Sequence, residues 1–93
     1  MPVNIRIPTY LASFSGGRNA IPLEGSPATV REALAALWRL HPALKDRILD
    51  EQGEVRQHIN IFVGEEAIRF ADGLATVVPP SAEILIVPAV SGG

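Results

Sequence analysis

The C-terminal carboxylate is the group in this sequence whose neighbouring residues most favour a role in a reaction. The last six residues, from Pro88 to Gly93, contain no charged side chain before the terminal carboxylate. Fully extended, they reach about 20 Å beyond a folded domain, and Gly92 and Gly93 have no Cβ to clash in a narrow channel. Most chain ends are simply frayed, but two terminal glycines arise by chance in only about one chain in 200. The tail therefore suits delivery of its carboxylate into the active site of another protein.

The remaining reactive side chains form no recognisable catalytic or metal-binding group. His41 and His58 lack ligand-type neighbours at metal-binding spacing, and the chain has no cysteine. Carboxylates cluster at 50–54 and 65–66, where solvated loops are expected rather than buried acids suited to acid–base catalysis. The Gly-Gly pair at 16–17 is more typical of a turn than of an anion-binding nest. We therefore expect a protein that is not an enzyme and has neither metal nor cofactor.

Size and composition predict one globular domain. The chain has 93 residues, of which 47% are hydrophobic and 19% charged, and its net charge is −2. The sequence contains no run of basic residues that would favour binding to nucleic acid or to an anionic membrane. Neither a signal peptide nor a stretch of about 20 apolar residues is recognisable, so we expect a cytoplasmic location.

Hydrophobic periodicity predicts the elements that position the tail. Val3, Ile5 and Ile7 alternate with polar residues, as in a strand with one buried face. A second strand over 18–23 is expected to return antiparallel to the first, after turn chemistry at 15–18.

One main helix is predicted next. Thr29 and Glu32 fit a capping box, in which each side chain accepts a hydrogen bond from the backbone amide of the other. Pro42 ends the helix because the residue before a proline is disfavoured in the α region, and a short helical turn and a polar loop follow over 43–53. The apolar stripe of the helix comprises Val30, Ala33, Leu34, Leu37 and His41.

Three strands are predicted in the second half: 58–63, a short partner around 67–70, and 83–87, closed by Pro88. The element order ββαββ, then a loop, then β predicts an α+β domain over 1–87 and an extended, flexible tail over 88–93. A single helix covers only one face of such a sheet and leaves the other face exposed to water. In strand 58–63 the alternation places Ile59, Ile61 and Val63 on one face and His58, Asn60 and Phe62 on the other.

These features resemble the β-grasp fold of ubiquitin-like proteins, with a mixed sheet of four to five strands. The tail resembles the Pro-x-Val-x-Gly-Gly ending of the small subunit of molybdopterin synthase and related thiamine-type sulfur carriers. The resemblance is closer to the thiocarboxylate sulfur carrier of actinobacterial cysteine biosynthesis. It rests on Ile7-Pro8-Thr9 with Gly16-Gly17, on Ile59-Asn60-Ile61-Phe62-Val63, and on Arg69-Phe70-Ala71-Asp72-Gly73-Leu74-Ala75-Thr76, and it covers essentially the whole chain.

The resemblance implies a reaction at Gly93. An E1-like enzyme adenylates its carboxylate, a persulfide sulfur displaces AMP, and the resulting thiocarboxylate donates sulfur to an acceptor. In the cysteine pathway the implied partners are a pyridoxal-phosphate-dependent synthase and a zinc metalloprotease. Gly92, Ser91 and Val90 would enter the partner with Gly93, and because this sequence ends at Gly93 we expect no maturation step.

A docking surface is predicted beside the tail. In a ubiquitin-like register Ile84 and Ile86 face the helix, so Leu85 and Val87 point to the open sheet face, where exposed apolar side chains favour partner binding. Ordinary strand propensity is the alternative explanation. Ile61 or Phe62 joins this surface, depending on a register that the sequence leaves open.

Three functions remain compatible with the sequence: a sulfur carrier, a protein modifier conjugated through Gly93, and a β-grasp adaptor with an inert tail. The destination of the sulfur also stays open between cysteine, molybdopterin, thiamine, modified tRNA and a secondary metabolite.

Overall fold

The first and last strands of the chain lie side by side and parallel in the middle of a five-stranded sheet. The computed structural model describes residues 3–88. In this range the strands are β1 (Asn4–Arg6), β2 (Ala20–Pro22), β3 (Ile59–Val63), β4 (Glu66–Ala67) and β5 (Glu83–Pro88). Their order across the sheet is β2-β1-β5-β3-β4, and every neighbouring pair except β1–β5 is antiparallel. The predicted antiparallel return of the second strand onto the first is thus confirmed.

The main helix, α1 (Val30–Leu40), begins and ends where the sequence predicts. The Glu32 amide donates to the Thr29 hydroxyl at 3.3 Å, which confirms the N-cap. The second half of the predicted capping box is wrong by one residue, because the Glu32 carboxylate accepts from the amide of Ala28 at 3.1 Å rather than from that of Thr29. The chain then turns at Pro42 into a 3₁₀ segment and the short helix α2 (Lys45–Ile48).

The core lies between α1 and one face of the sheet, as the alternation of apolar residues predicts. Ile5 and Ile84 from the central strands are fully buried, and so is Leu37 from the helix. Burial of such aliphatic side chains supplies about 1.5–3 kcal/mol each relative to exposure. The apolar residues of the predicted helix stripe, Val30, Ala33, Leu34 and Leu37, are all buried, whereas His41 is half-buried just beyond the end of the helix.

Several local features differ from the prediction. A 3₁₀ helix over Thr9–Ser15 precedes the glycine pair at 16–17, whose φ angles of 69° and 87° lie in the left-handed region that favours glycine. The Gly17 amide donates to the Ala12 carbonyl at 2.8 Å, so the pair ends this helix as a turn. β4 stops at Ala67, because the backbone turns into a 3₁₀ helix at Ile68, whose side chain is buried in the core.

Together these elements form the predicted β-grasp arrangement, an α+β fold with a mixed sheet and the main helix on one face. Among residues 3–88, no helix is long and apolar enough to cross a membrane.

Candidate functional site

The last strand divides its side chains between the core and the open face of the sheet. Ile84 and Ile86 are 0% and 1% exposed, whereas Leu85 and Val87 are half-buried on the opposite face. The facing predicted for all four residues is confirmed. An open sheet face would ordinarily carry polar side chains, so two adjacent apolar positions on it form a candidate contact surface.

The register of β3 against β5 decides which residue joins this surface. Phe62 lies opposite Leu85 and Asn60 lies opposite Val87, so both side chains share the open face. Ile61 lies opposite Ile86 and is only 2% exposed.

Of the two alternatives that the sequence leaves open, Ile61 is therefore excluded from the open face by its burial. The two-residue turn at Gly64-Glu65 pairs Val63 with Glu66 and fixes the phase of β3, so that Ile61 points into the core. Phe62 takes the open-face position. We call Leu85, Val87 and Phe62 the sheet-face patch.

Charged and polar side chains border the sheet-face patch. Arg6 of β1 lies opposite Leu85, and its Nε is 2.9 Å from Oε2 of Glu83. Both side chains are well exposed, so this ion pair contributes little to stability. The Arg6–Glu83 pair lies at the border of the apolar patch on the β1 side. On the β3 side, the amide of Asn60 lies opposite Val87.

The predicted chemical group lies outside the described residues, as do the tail residues Val90, Ser91, Gly92 and Gly93. Pro88, the last described residue, is paired with Ile59 in the sheet. The last strand is therefore one residue longer than predicted, because it includes Pro88, and the sheet-face patch ends directly before this residue.

The carboxylates considered for acid–base work have structural or solvent-exposed positions. Asp50 Oδ1 accepts from the amides of Gln52 at 2.9 Å and Glu54 at 3.0 Å, which shapes the loop. Glu65 and Glu66 are exposed at the β3–β4 turn, and His58 is exposed in the turn before β3 rather than within the strand. Within 3–88, no three His, Asp or Glu side chains lie close enough to hold a metal ion.

A second surface, which the sequence analysis did not predict, lies at the outer edge of β3. A cavity of about 590 Å³ lies between the 52–57 loop, the start of β3 and the 68–74 segment. Its walls come from parts of the chain that are distant in sequence, and no local pattern indicates it.

Comparison with known proteins places this geometry in context. The model of the ThiS family matches residues 5–93. The sulfur carrier protein CysO of Mycobacterium tuberculosis is 32% identical over 95 residues that cover all of both chains. Small archaeal modifier protein 1 of Haloferax volcanii is 37% identical over 84 residues, which are 89% of this chain and 91% of that one.

Among solved structures, the Amycolatopsis orientalis BexX/CysO complex contains a chain with a TM-score of 0.85 and 34% identity. The match covers 98% of the present chain and 99% of the other. The similarity thus extends over the whole fold, including both strands of the sheet-face patch.

Proposed function

Because the chain belongs to the ThiS family of ubiquitin-like proteins, we propose that it is a sulfur carrier whose working group is the carboxylate of Gly93. The observation that carries the proposal is the family match, which runs through residue 93 and so includes the Gly92-Gly93 ending. Sulfur-carrier relatives aligned over their full length support the same function. In this function the protein is a co-substrate of other enzymes and performs no catalysis itself.

The chemistry begins with activation of a poor electrophile. The Gly93 carboxylate attacks the α-phosphorus of ATP on an E1-like enzyme, pyrophosphate leaves, and an acyl-adenylate forms. The terminal sulfur of an enzyme persulfide then displaces AMP and forms an acyl disulfide. A thiol attacks the enzyme-side sulfur of this acyl disulfide, a disulfide forms between the thiol and the enzyme, and the carrier leaves with a terminal thiocarboxylate. This group is a good nucleophile at neutral pH and delivers sulfur to an acceptor.

The folded domain supplies recognition. The sheet-face patch presents apolar side chains immediately before the tail, so an enzyme that binds Leu85 and Phe62 receives the tail in a fixed direction. Apolar contacts at the centre of an interface, bordered by polar groups such as Asn60 and the Arg6–Glu83 pair, are typical of protein recognition surfaces. We expect both the activating enzyme and the sulfur acceptor to use this face.

Cysteine biosynthesis is the destination that we propose for the sulfur. The support is the 32% identity to CysO over the whole chain. The corresponding partners are a pyridoxal-phosphate-dependent cysteine synthase, which joins the thiocarboxylate to an activated serine, and a zinc metalloprotease that releases cysteine from the carrier.

Intact-protein mass spectrometry after co-expression with the cognate activating enzyme tests the proposal. We expect a mass increase equal to the difference between sulfur and oxygen, located on the C-terminal peptide. Persistent absence of this change with an active enzyme would overturn the sulfur-carrier function. Addition of the synthase and an activated serine then tests the destination, because the carrier should gain a C-terminal cysteine.

A protein modifier is the second candidate, favoured by the 37% identity to small archaeal modifier protein 1. The activation step is the same, but the activated Gly93 would be transferred to a lysine of a target protein. Its signature is a Gly-Gly remnant on lysines of cellular proteins after proteolysis. If the protein is a modifier, such remnants should be present in wild-type cells and absent after deletion of this gene. If the protein serves only as a sulfur carrier, no such remnants should be found.

A further inference from the structure

The cavity at the outer edge of β3 concentrates positive charge in a protein whose net charge is −2. Three arginines line it, namely Arg31 from α1, Arg56 from the loop before β3 and Arg69 from the segment after β4. Only one carboxylate, that of Glu54, shares the lining. Like charges gathered around one cavity favour an anionic occupant.

The guanidinium groups of these arginines are not neutralised by carboxylates of the described residues. Within 3–88 the one ion pair joins Arg6 to Glu83, on the open face of the sheet. Oδ1 of Asp50, which precedes the 52–57 loop, accepts from the amides of Gln52 and Glu54. The cavity therefore presents cationic groups that can bind oxyanions through planar, paired hydrogen bonds.

One of the three guanidiniums is held in place by the fold. Arg56 is half-buried, and its Nε donates to the backbone carbonyl of Asp46 at 2.9 Å. This bond uses one N–H group of the guanidinium and restricts its orientation, which lowers the entropy that a ligand must remove on binding. Arg31 and Arg69 are exposed and can adjust to the occupant.

The lining between the arginines is apolar. Val55 and Leu74 are half-buried, and the edges of Ile59 and Ile68 complete the floor. A volume of about 590 Å³ is within the usual range for ligand-binding clefts. An occupant that matches both properties has an apolar group between negatively charged ones.

We infer that this cavity is a docking site for an acidic peptide segment of a partner protein, with an apolar side chain on the floor and carboxylates at the arginines. Asn60 connects the cavity with the sheet-face patch, because it lines the cavity and also lies opposite Val87 on the open face. One protein bound on the sheet-face patch can therefore reach the cavity around the edge of β3. The inference rests on the proposed function in one respect, since the partner is taken to be an enzyme that uses the carrier.

A peptide titration followed by NMR tests the site without any partner enzyme. The probe is an acetylated and amidated hexapeptide with two leucines flanked by four glutamates, and its control has glutamine at those four positions. At low salt we expect saturable shifts of the amides of 54–56 and 68–74 of the ¹⁵N-labelled full chain, and binding about tenfold or more tighter than that of the control. Equal binding of both peptides, no binding, or shifts confined to other regions would overturn the inference.

Charge-reversal variants locate the binding groups. The double variant Arg31→Glu/Arg69→Glu replaces exposed side chains and should lose most of the peptide affinity while it unfolds at the wild-type temperature. Arg18→Glu makes a charge reversal at the opposite edge of the sheet, next to β2, and should bind the peptide nearly as wild type does. Similar losses in both variants would indicate a general charge effect and would contradict a defined site.

Two further measurements separate the outcomes. Citrate and pyrophosphate should compete only weakly; if either binds the cavity as tightly as the peptide, the site is one for small anions and the docking inference fails. None of these readouts requires activation of Gly93. Peptide binding without thiocarboxylate formation would leave the cavity assignment standing and remove the proposed function, whereas the reverse result would remove only the docking inference.

Discussion

At the scale of single residues, the alternation of side chains across the sheet separates stability from recognition. Neighbours in β3 differ sharply, because Ile61 is buried in the core while Phe62 lies on the open face. The sequence could not choose between them, since both are large and apolar and a one-residue shift exchanges their faces. In β5 both faces are also apolar, and the facing of Ile84 and Ile86 was predictable only from the ubiquitin-like register that the family resemblance implies.

Truncation of these two neighbours should therefore have unequal effects. Ile61→Ala should lower the free energy of unfolding by about 2–4 kcal/mol, because it leaves a cavity in the core. Phe62→Ala should cost less than about 1.5 kcal/mol, since part of the ring is already exposed to water. Chemical denaturation of the two variants measures the difference, and a larger loss for Phe62→Ala would contradict the observed register.

Leu85→Asp tests the sheet-face patch. A carboxylate at this position stays on the solvent-exposed face, so the domain should remain folded, but kcat/KM of the activating enzyme for the carrier should fall about tenfold or more. Ala20→Asp is the matched control, because it places the same group on the same face two strands away, opposite Arg6. The patch has no role in activation if both variants are activated like the wild type.

At the scale of elements, local signals and tertiary contacts share the work of setting boundaries. Thr29 and Pro42 delimit α1 as predicted, because capping and proline chemistry depend on sequence neighbours alone. β4 and the 3₁₀ helix over Thr9–Ser15 were not predicted correctly. Burial of Ile68 and of Leu11 by distant parts of the chain decides those segments.

Thr29→Val should measure the contribution of the helix cap. The substitution keeps the shape of the side chain but removes the oxygen that accepts from the Glu32 amide. We expect the free energy of unfolding to fall by about 1 kcal/mol. Ser26→Ala, in the exposed loop just before the helix, should leave stability unchanged, and an equal loss there would show that the cap is not responsible.

At the scale of the whole molecule, the folded domain supplies stability, and the tail sequence carries the group that we propose to react. Among residues 3–88, the hydrophobic core extends from Val3 to Ile86. The fold class was predictable, since hydrophobic periodicity is a property of contiguous sequence, and the reaction that we propose at Gly93 likewise rests on a contiguous terminal motif. The arginine-lined cavity was not, because Arg31, Arg56 and Arg69 meet only once the topology brings three separate segments together.

Deletion of Gly92-Gly93 should abolish thiocarboxylate formation and leave the thermal unfolding midpoint nearly unchanged, because glycines have no side chain to contribute to a core. A tag fused after Gly93 should have the same effect, while the same tag placed before Met1 should be tolerated. Mass spectrometry and calorimetry read the two properties separately. Sulfur transfer by the shortened chain would exclude both C-terminal mechanisms.

The parallel pairing of β1 with β5 has a mechanical consequence. A pull applied between the two ends of the chain loads these neighbouring strands in shear, so that their hydrogen bonds are strained together rather than broken one after another. A force applied at the C-terminal end by a bound enzyme would act on the middle strand of the sheet. It would not act on an edge strand, which separates from a sheet more easily. The fold should therefore resist unfolding by a force applied at the end of the chain that partner proteins would bind.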